Sequence, residues 1–350
     1  MSYPVLSHYP FTTQVMLNLF NQGLLDQVEM LDIESDYGYV GRVIYKNGAV
    51  RYFKGSNLNF NAHGVAEILK DKNYTKYFLR KYGYQVSDGK IFVTDSFFQQ
   101  PKRRIIDAKA PFSDISQAPE YVRQELGYPC FVKPNDGSQG IGVYHCTNEP
   151  ELTEALNQLV ASRYPVILIE KPIDYPEFRA VVYQSELICC YGRRPMQIIG
   201  DGSQTFRQLF NQQLERLTQA NRPHSFALDD DRVQYKLKKL GLTSDAVIAH
   251  GAVIDVFDSA NLSTGGQVVD FTDAIHPHWK ALCVAVTRQF DLTVCGVDIF
   301  IEDITNPNSN YAIVELNATP TLSGYATVSE RAKAIVYDLY RQILNTPNGQ

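Results

Sequence analysis

Between residues 294 and 317 the sequence VCGVDIFIEDITNPNSNYAIVELN carries acids in otherwise apolar surroundings. It reads as two strands joined by ITNPNSN, a run of turn formers, and therefore as a hairpin. Side chains alternate along a strand, so Gly296, Asp298, Phe300 and Glu302 share a face on the first strand. Ile313, Glu315 and Asn317 do the same on the second. Asp298, Glu315 and Asn317 can then converge as hard oxygen donors, which is the chemistry of a Mg²⁺ site holding a polyphosphate. The same spacing also describes solvated acids on an outer sheet face, and this stretch alone does not separate the two readings.

A second stretch, PNDGSQGIGVYHC, opens directly into a strand, and its Gly137, Gly140 and Gly142 let backbone N–H groups approach a phosphate without interference from a Cβ. Glycine serves hairpins for purely conformational reasons as well. Lys133, at the end of the strand that feeds the turn, adds a point charge suited to phosphate. The apolar run PVILIE ends at Glu170-Lys171-Pro172; a strand broken by proline leaves its last backbone groups free to read an adenine edge, or is a plain strand end with a solvated Glu-Lys pair. The hairpin EFRAVVYQSELICCYGRRP brings Arg179 and Arg193 toward the same end, and Arg194 reads as a surface residue.

These residues need a scaffold, and length and composition bound it. At 350 residues the chain can bury a sizeable core, and its length favours two or three domains. Hydrophobic residues make up 44% and charged residues 20%, the balance of an ordinary globular protein. A formal charge of -5 gives no reason to expect nucleic acid or an anionic membrane as a partner. The N-terminal stretch has no basic segment followed by an apolar core, so it does not read as a signal peptide, and no run approaches the ~18 apolar residues of a membrane helix. Cysteines 130, 146, 189, 190, 283 and 295 lack CxxC spacing and read as buried free thiols of a cytoplasmic protein. His276 and His278 read as capping or surface residues, since no HExxH is present.

Periodicity predicts helices over 12–25, 65–82, 118–126, 151–160, 279–290 and 329–344, with Gly83 and Gly127 as stops. Lys46-Asn47-Gly48 reads as a hairpin turn, and Thr205 as the N-cap of a helix after Gly200-Asp201-Gly202.

The order of these motifs over residues 66 to 325 resembles the ATP-grasp superfamily of carboxylate–amine ligases, in particular the D-alanine–D-alanine ligases, and more closely the ATP-grasp half of cyanophycin synthetases. The resemblance assigns Lys72, in KDKNYTK, and Lys133, in FVKPNDGSQGIGV, to phosphate; it assigns Gly137, Ser138, Gly140 and Gly142 to the loop over the phosphates. Glu170, Lys171 and Ile173 match the adenine hinge, and Glu177 the ribose-binding glutamate. Asp298, Glu315 and Asn317 match the metal triad, with two Mg²⁺ expected and Mn²⁺ as the alternative ion. Arg179 and Arg193 match arginines that neutralise the transferred phosphate.

The implied fold is α+β: an ATP-grasp fold with a small N-terminal α/β segment, 1–65, and a central domain, 66–127. The small lobe is 128–185 and the large lobe 186–350, with ATP between two α+β lobes. The implied activity is a carbon–nitrogen ligase that joins an amino-acid-like carboxylate to an amine through an acylphosphate, releasing ADP and phosphate. A kinase-like transferase or a non-catalytic nucleotide-binding partner is the alternative. Small carboxylate and amine substrates, no nucleic acid, no membrane and a homodimer complete the expectation. The chain departs from its relatives in lacking a Mur-ligase-like half, in Gly296, where D-alanine ligases place an arginine, and in Thr321 after Pro320, where they place a glycine.

Overall fold

Alternating apolar residues build the first sheet of the chain, in a computed structural model that describes residues 5–99, 113–137, 140–219, 226–258 and 264–347. After helix α1 (Phe11–Asn21), strands β1 (Val28–Ile33), β2 (Val40–Tyr45) and β3 (Val50–Lys54) pair antiparallel in that order. Gly48 turns the β2–β3 hairpin with φ of +83°, as the sequence predicts. Val43, Tyr45 and Phe53 share one core with Val336, Leu339 and Ile343 of the C-terminal helix Glu330–Leu344. Arg51 fixes the same junction by donating to the Thr346 carbonyl at 2.8 Å.

The helix expected over 65–82 is two helices, α2 (His63–Lys70) and α3 (Lys72–Lys81). Asp71 between them is extended, with ψ of 110°, and its side chain accepts from the Tyr74 N–H at 2.9 Å. An aspartate that caps the following turn competes with the helix it would interrupt, and the apolar period runs through the break unchanged. Starting afresh at Lys72 puts Lys72 and Lys76 one turn apart on the buried face of α3.

A four-stranded antiparallel sheet follows, made of β4 (Gly89–Val93), β5 (Cys130–Pro134), β6 (Tyr144–Cys146) and β7 (Val166–Glu170) in the order β4–β7–β5–β6. Every residue of β7 is buried. Helix Glu149–Ala161 covers one face through Leu152, Ala155 and Leu159. The predicted helix over 118–126 continues from Ala118–Tyr121 as a wider π turn, Val122–Leu126, and stops at Gly127, whose φ is +75°.

The largest sheet begins with β8 (Glu177–Tyr183) and β9 (Glu186–Arg194). The chain then leaves it for a separate core around β10 (Gln197–Ile199), β11 (Val253–Asp255) and helices Phe206–Gln219 and Asp231–Lys239. Thr205 caps the first of these helices as expected: its Oγ1 accepts from the Gln208 N–H at 3.3 Å while Gln208 Oε1 accepts from the Thr205 N–H at 2.9 Å. The chain returns through β12 (Gln267–Asp270), β13 (Val294–Ile301) and β14 (Tyr311–Asn317), giving the antiparallel order β12–β9–β8–β13–β14.

Strand β8 shows how this sheet makes a site. Its even residues Phe178, Ala180 and Val182 enter a core with Trp279, Cys283 and Val286 of helix Pro277–Gln289. On the other face Val181 and Tyr183 enter the core shared with the N-terminal sheet. Glu177 and Arg179 lie at the remaining end of that second face. All six cysteines are buried and free, as expected, and His276 caps its helix by accepting from the His278 N–H. No helix among the described residues is long and apolar enough to cross a membrane.

The break at Asp71 makes a testable prediction. Asp71→Ala removes the cap and is expected to lower stability by about 1 kcal/mol, read as a lower urea midpoint with unchanged slope. An unchanged midpoint would mean that packing of α2 and α3, and not the cap, sets the break.

Candidate functional site

Two clusters of charge face each other across the fold. The first is built on β5, β7 and α3. Phe131 pairs with Glu170 and Lys133 with Leu168, so Lys133 and Glu170 are diagonal neighbours on one sheet face. Lys133 Nζ donates to Glu170 Oε1, and Lys76 Nζ, from α3, donates to Glu170 Oε2. Ser87 Oγ, just before β4, accepts from Lys76 at 2.6 Å and donates to Glu170 Oε2 at 3.0 Å. The Glu170 side chain is 6% exposed and that of Lys76 3%. Lys76 and Ser87 are missing from the expectations drawn from sequence. The signal for Lys76 was its four-residue spacing from Lys72; for Ser87 there was none.

Lys72 links this cluster to the second. Its backbone N–H donates to the Asn135 carbonyl at 3.3 Å, and its Nζ donates to the Gly137 carbonyl at 2.5 Å and lies 3.9 Å from Glu315 Oε2. The glycine-rich turn therefore starts against the N-terminus of α3. Gly140 and Gly142 both adopt φ of +70°, and a Cβ on Gly142 would come within 3.0 Å of Leu159 and 3.1 Å of Pro134. Ser138 lies outside the described residues. Beyond β7, Lys171 donates through its N–H to the Asp88 carbonyl at 2.8 Å and through Nζ to the Leu126 carbonyl at 2.7 Å, and Ile173 is half-buried in the connection to β8.

The second cluster lies on one face of the large sheet. Asp298 pairs in register with Arg179 on one side and with Glu315 on the other, and Asn317 pairs with Gly296. The predicted convergence of Asp298, Glu315 and Asn317 is present. Arg179 grips both oxygens of Asp298 in a two-pronged ion pair, and Arg193 Nη2 lies 3.1 Å from Asp298 Oδ1 while also donating to Glu177. Glu177 thus stands beside Arg193 in this cluster, not beside Glu170. The Asn317 amide fits with Nδ2 donating to Glu315 Oε1 at 3.1 Å and Oδ1 accepting from Arg179 Nη2 at 2.9 Å. Arg193 Nε is buried without a partner, and Arg194 is exposed, as expected. Gly296 has a steric cause: a Cβ there would lie 3.0 Å from Pro320 Cβ and 3.5 Å from Arg179 Cδ.

The donor set suits a hard cation. Two carboxylates and an amide oxygen on neighbouring strands are the ligand type of Mg²⁺, and Glu315 remains 29% exposed with one lysine at the edge of ion-pair range. Asp298 is committed to two guanidinium groups, so a cation would share it with them. Across both clusters Lys72, Lys76, Lys133, Arg179 and Arg193 face Glu170, Glu177, Asp298 and Glu315, five cations against four carboxylates. A mostly buried site with one positive charge in excess favours an anionic ligand.

Burial alone would raise the Glu170 pKa, but the charges and hydrogen bonds of Lys133 and Lys76 outweigh it and hold the carboxyl well below the ordinary range. Burial pulls Lys76 and Lys72 down from the usual lysine value despite their carboxylates. In the second cluster burial is likewise opposed by Arg179 and Arg193, leaving Asp298 lowered, whereas burial and the neighbouring Asp298 leave Glu177 raised.

A depressed carboxylate contributes stability in full above its unfolded pKa, about 4.3 for glutamate, and the contribution fades as pH falls through the folded value. The stability gap between the wild type and Glu170→Gln is therefore expected to narrow below about pH 4, in urea titrations run at several pH values. A gap that stays constant down to pH 3 would contradict the pairing.

Comparison with known proteins relates parts of this chain to proteins of known kind. Residues 59–205 match the family model described as D-ala D-ala ligase C-terminus. The chain is 28% identical over 270 residues to a cyanophycin synthetase of Crocosphaera subtropica, covering 75% of this chain and 29% of that protein. It is 28% identical over 243 residues to the glutathione biosynthesis bifunctional protein GshAB of Mannheimia succiniciproducens, covering 61% of this chain and 31% of that protein. The chain thus spans less than a third of the length of these curated relatives. Among solved structures, a bifunctional glutathione synthetase from Pasteurella multocida superposes with a TM-score of 0.55 at 19% identity, over 95% of this chain and 44% of that one, a likeness of fold. Residues 59–205 thus resemble the D-ala D-ala ligase C-terminus, the chain is similar to these curated relatives over part of their length, and it shares its α+β fold with the glutathione synthetase.

Proposed function

We propose that this chain is an ATP-dependent ligase that joins an amino-acid-like carboxylate to an amine. The observation that carries the reading is the meeting of the two buried clusters through Lys72, which touches the glycine-rich turn on one side and approaches Glu315 on the other. Similarity to a cyanophycin synthetase and to a glutathione biosynthesis protein points the same way.

In this reading adenine lies against the end of β7 at Glu170, Lys171 and Ile173, with Glu177 toward the ribose. Lys72, Lys133 and the turn at Gly137, Gly140 and Gly142 receive the phosphates. ATP then lies between the four-stranded and the five-stranded sheet rather than between units divided at 185, since β8 and β9 share one sheet, and the N-terminal segment 1–65 frames the substrates. Asp298, Glu315 and Asn317 would hold Mg²⁺, as two ions or replaced by Mn²⁺, and bound there it supplies positive charge against the repulsion of the phosphates.

The substrate carboxylate oxygen attacks the γ-phosphorus, and the bond to the β–γ bridging oxygen breaks with its electron pair leaving on ADP. The amine nitrogen then attacks the acyl carbon, the carbon–oxygen bond to phosphate breaks, and the nitrogen gives up a proton. Arg179 and Arg193 already stand on a prearranged face, and they neutralise the transferred group and the oxyanion of the tetrahedral adduct without reorganising. Positioning and electrostatics do this work, and no protein nucleophile is needed.

Incubation with ATP, Mg²⁺ and pairs of amino acids is expected to release ADP, with the amide identified by mass spectrometry. Absence of amide from every pair, with ADP released into a phosphorylated product, would favour the kinase-like alternative. Glu315→Gln should keep the fold, by circular dichroism, and lose roughly a hundredfold or more in turnover. Full turnover at saturating Mg²⁺ would remove Glu315 from the site. Lys133→Ala should weaken ATP by ~1–3 kcal/mol, measured by equilibrium binding, and an unchanged affinity would move the nucleotide elsewhere.

A further inference from the structure

We infer that Lys76 is a positioning residue: it keeps the Glu170 carboxylate neutralised so that Lys133 is free to leave Glu170 for a phosphate of the nucleotide. The inference rests on the nucleotide reading above and adds to it a residue that does not itself reach the ligand.

The argument begins with the count of cations on one carboxylate. Each oxygen of Glu170 has its own lysine, Oε1 with Lys133 and Oε2 with Lys76. The two lysines are not equivalent in their surroundings. Lys76 is nearly enclosed, and its other partners, the hydroxyl and carbonyl of Ser87 at 2.6 and 3.5 Å, are fixed ahead of β4. Lys133 stands one residue before the end of β5, at the mouth of the glycine-rich turn, and Glu170 is its one ion-pair partner among the described residues. Phosphate arriving at the turn competes with Glu170 for Lys133 and has nothing to gain from Lys76.

A buried carboxylate stripped of its last counter-charge is strongly destabilised. With Lys76 and the Ser87 hydroxyl in place, Glu170 keeps a cation and a donor on Oε2 after Lys133 departs. Without Lys76, every departure of Lys133 would leave Glu170 with a hydroxyl alone. Lys133 would then stay on Glu170, and the phosphates would lose its charge. The placement of Lys76 on α3, four residues from Lys72, makes one helix responsible both for the lysine that reaches Gly137 and for the lysine that stays behind.

The test compares Lys76→Met, Glu170→Gln and the double variant by ATP dissociation constant, in the presence of Mg²⁺, and by melting temperature. Lys76→Met is expected to weaken ATP by about tenfold or more, because Glu170 retains Lys133. Adding Glu170→Gln removes the anion and with it the effect of Lys76→Met, so the double variant should bind ATP to within about threefold of Glu170→Gln alone. Lys133→Ala should remain weak in either background. Two results overturn the inference: a double variant weaker than Glu170→Gln by the same factor as Lys76→Met is weaker than the wild type, which would put Lys76 on the nucleotide, and a Lys76→Met dissociation constant that is unchanged with only a lower melting temperature, which would make Lys76 purely structural. If Lys76→Met does not fold, Lys76→Gln carries the same comparison. A wild-type chain that binds no ATP would remove the nucleotide reading itself, a failure distinct from either of these.

Discussion

Glu170 can be charged at 6% exposure only because two lysines and a serine meet it, and that requirement ties three separate parts of the chain together. Lys76 comes from α3, Ser87 from the approach to β4 and Lys133 from β5, and each would be a buried charge or a buried polar group without the others. The arrangement fixes where α3 sits against the four-stranded sheet. That in turn fixes Lys72, which binds the first residues of the glycine-rich turn and reaches toward Glu315. One buried carboxylate therefore sets the geometry of both halves of the site.

The second cluster obeys the same rule by a different route. Asp298 is as buried as Glu170, and its counter-charges come from the strands on the same sheet, so register supplies what helix docking supplies in the first cluster. The sheet can present Arg179, Arg193, Asp298, Glu315 and Asn317 on one face because the opposite face is closed by helix Pro277–Gln289, and the far end of the same face by the N-terminal sheet and the C-terminal helix. Taken together, the two clusters set five cations against four carboxylates, an excess that suits an anionic ligand.

The short-range parts of this picture were legible in the sequence. Hairpin 294–317 follows from alternation and turn formers, and with it the meeting of Asp298, Glu315 and Asn317, because strand pairing leaves little freedom once the turn is set. Lys133 and the positive-φ glycines after it lie next to one another in the chain, so their proximity needed no tertiary information. The limits of local reasoning appear at Asp71, where an apolar period continues through a break that a single capping side chain imposes.

What the sequence determined by itself was the set of strands, the faces their residues occupy and an order of motifs similar to that of the ATP-grasp superfamily. It could not determine which charges pair. Arg179 and Arg193 were visible, but their commitment to Asp298 and Glu177 depends on β8 lying between β9 and β13. Lys76 looked like any lysine on an amphipathic helix until α3 docked beside Glu170, 94 residues away. A side chain's charge is written in the sequence, but the charge it must answer in a low-dielectric interior is set by whichever distant element folds against it, and only the tertiary structure decides that.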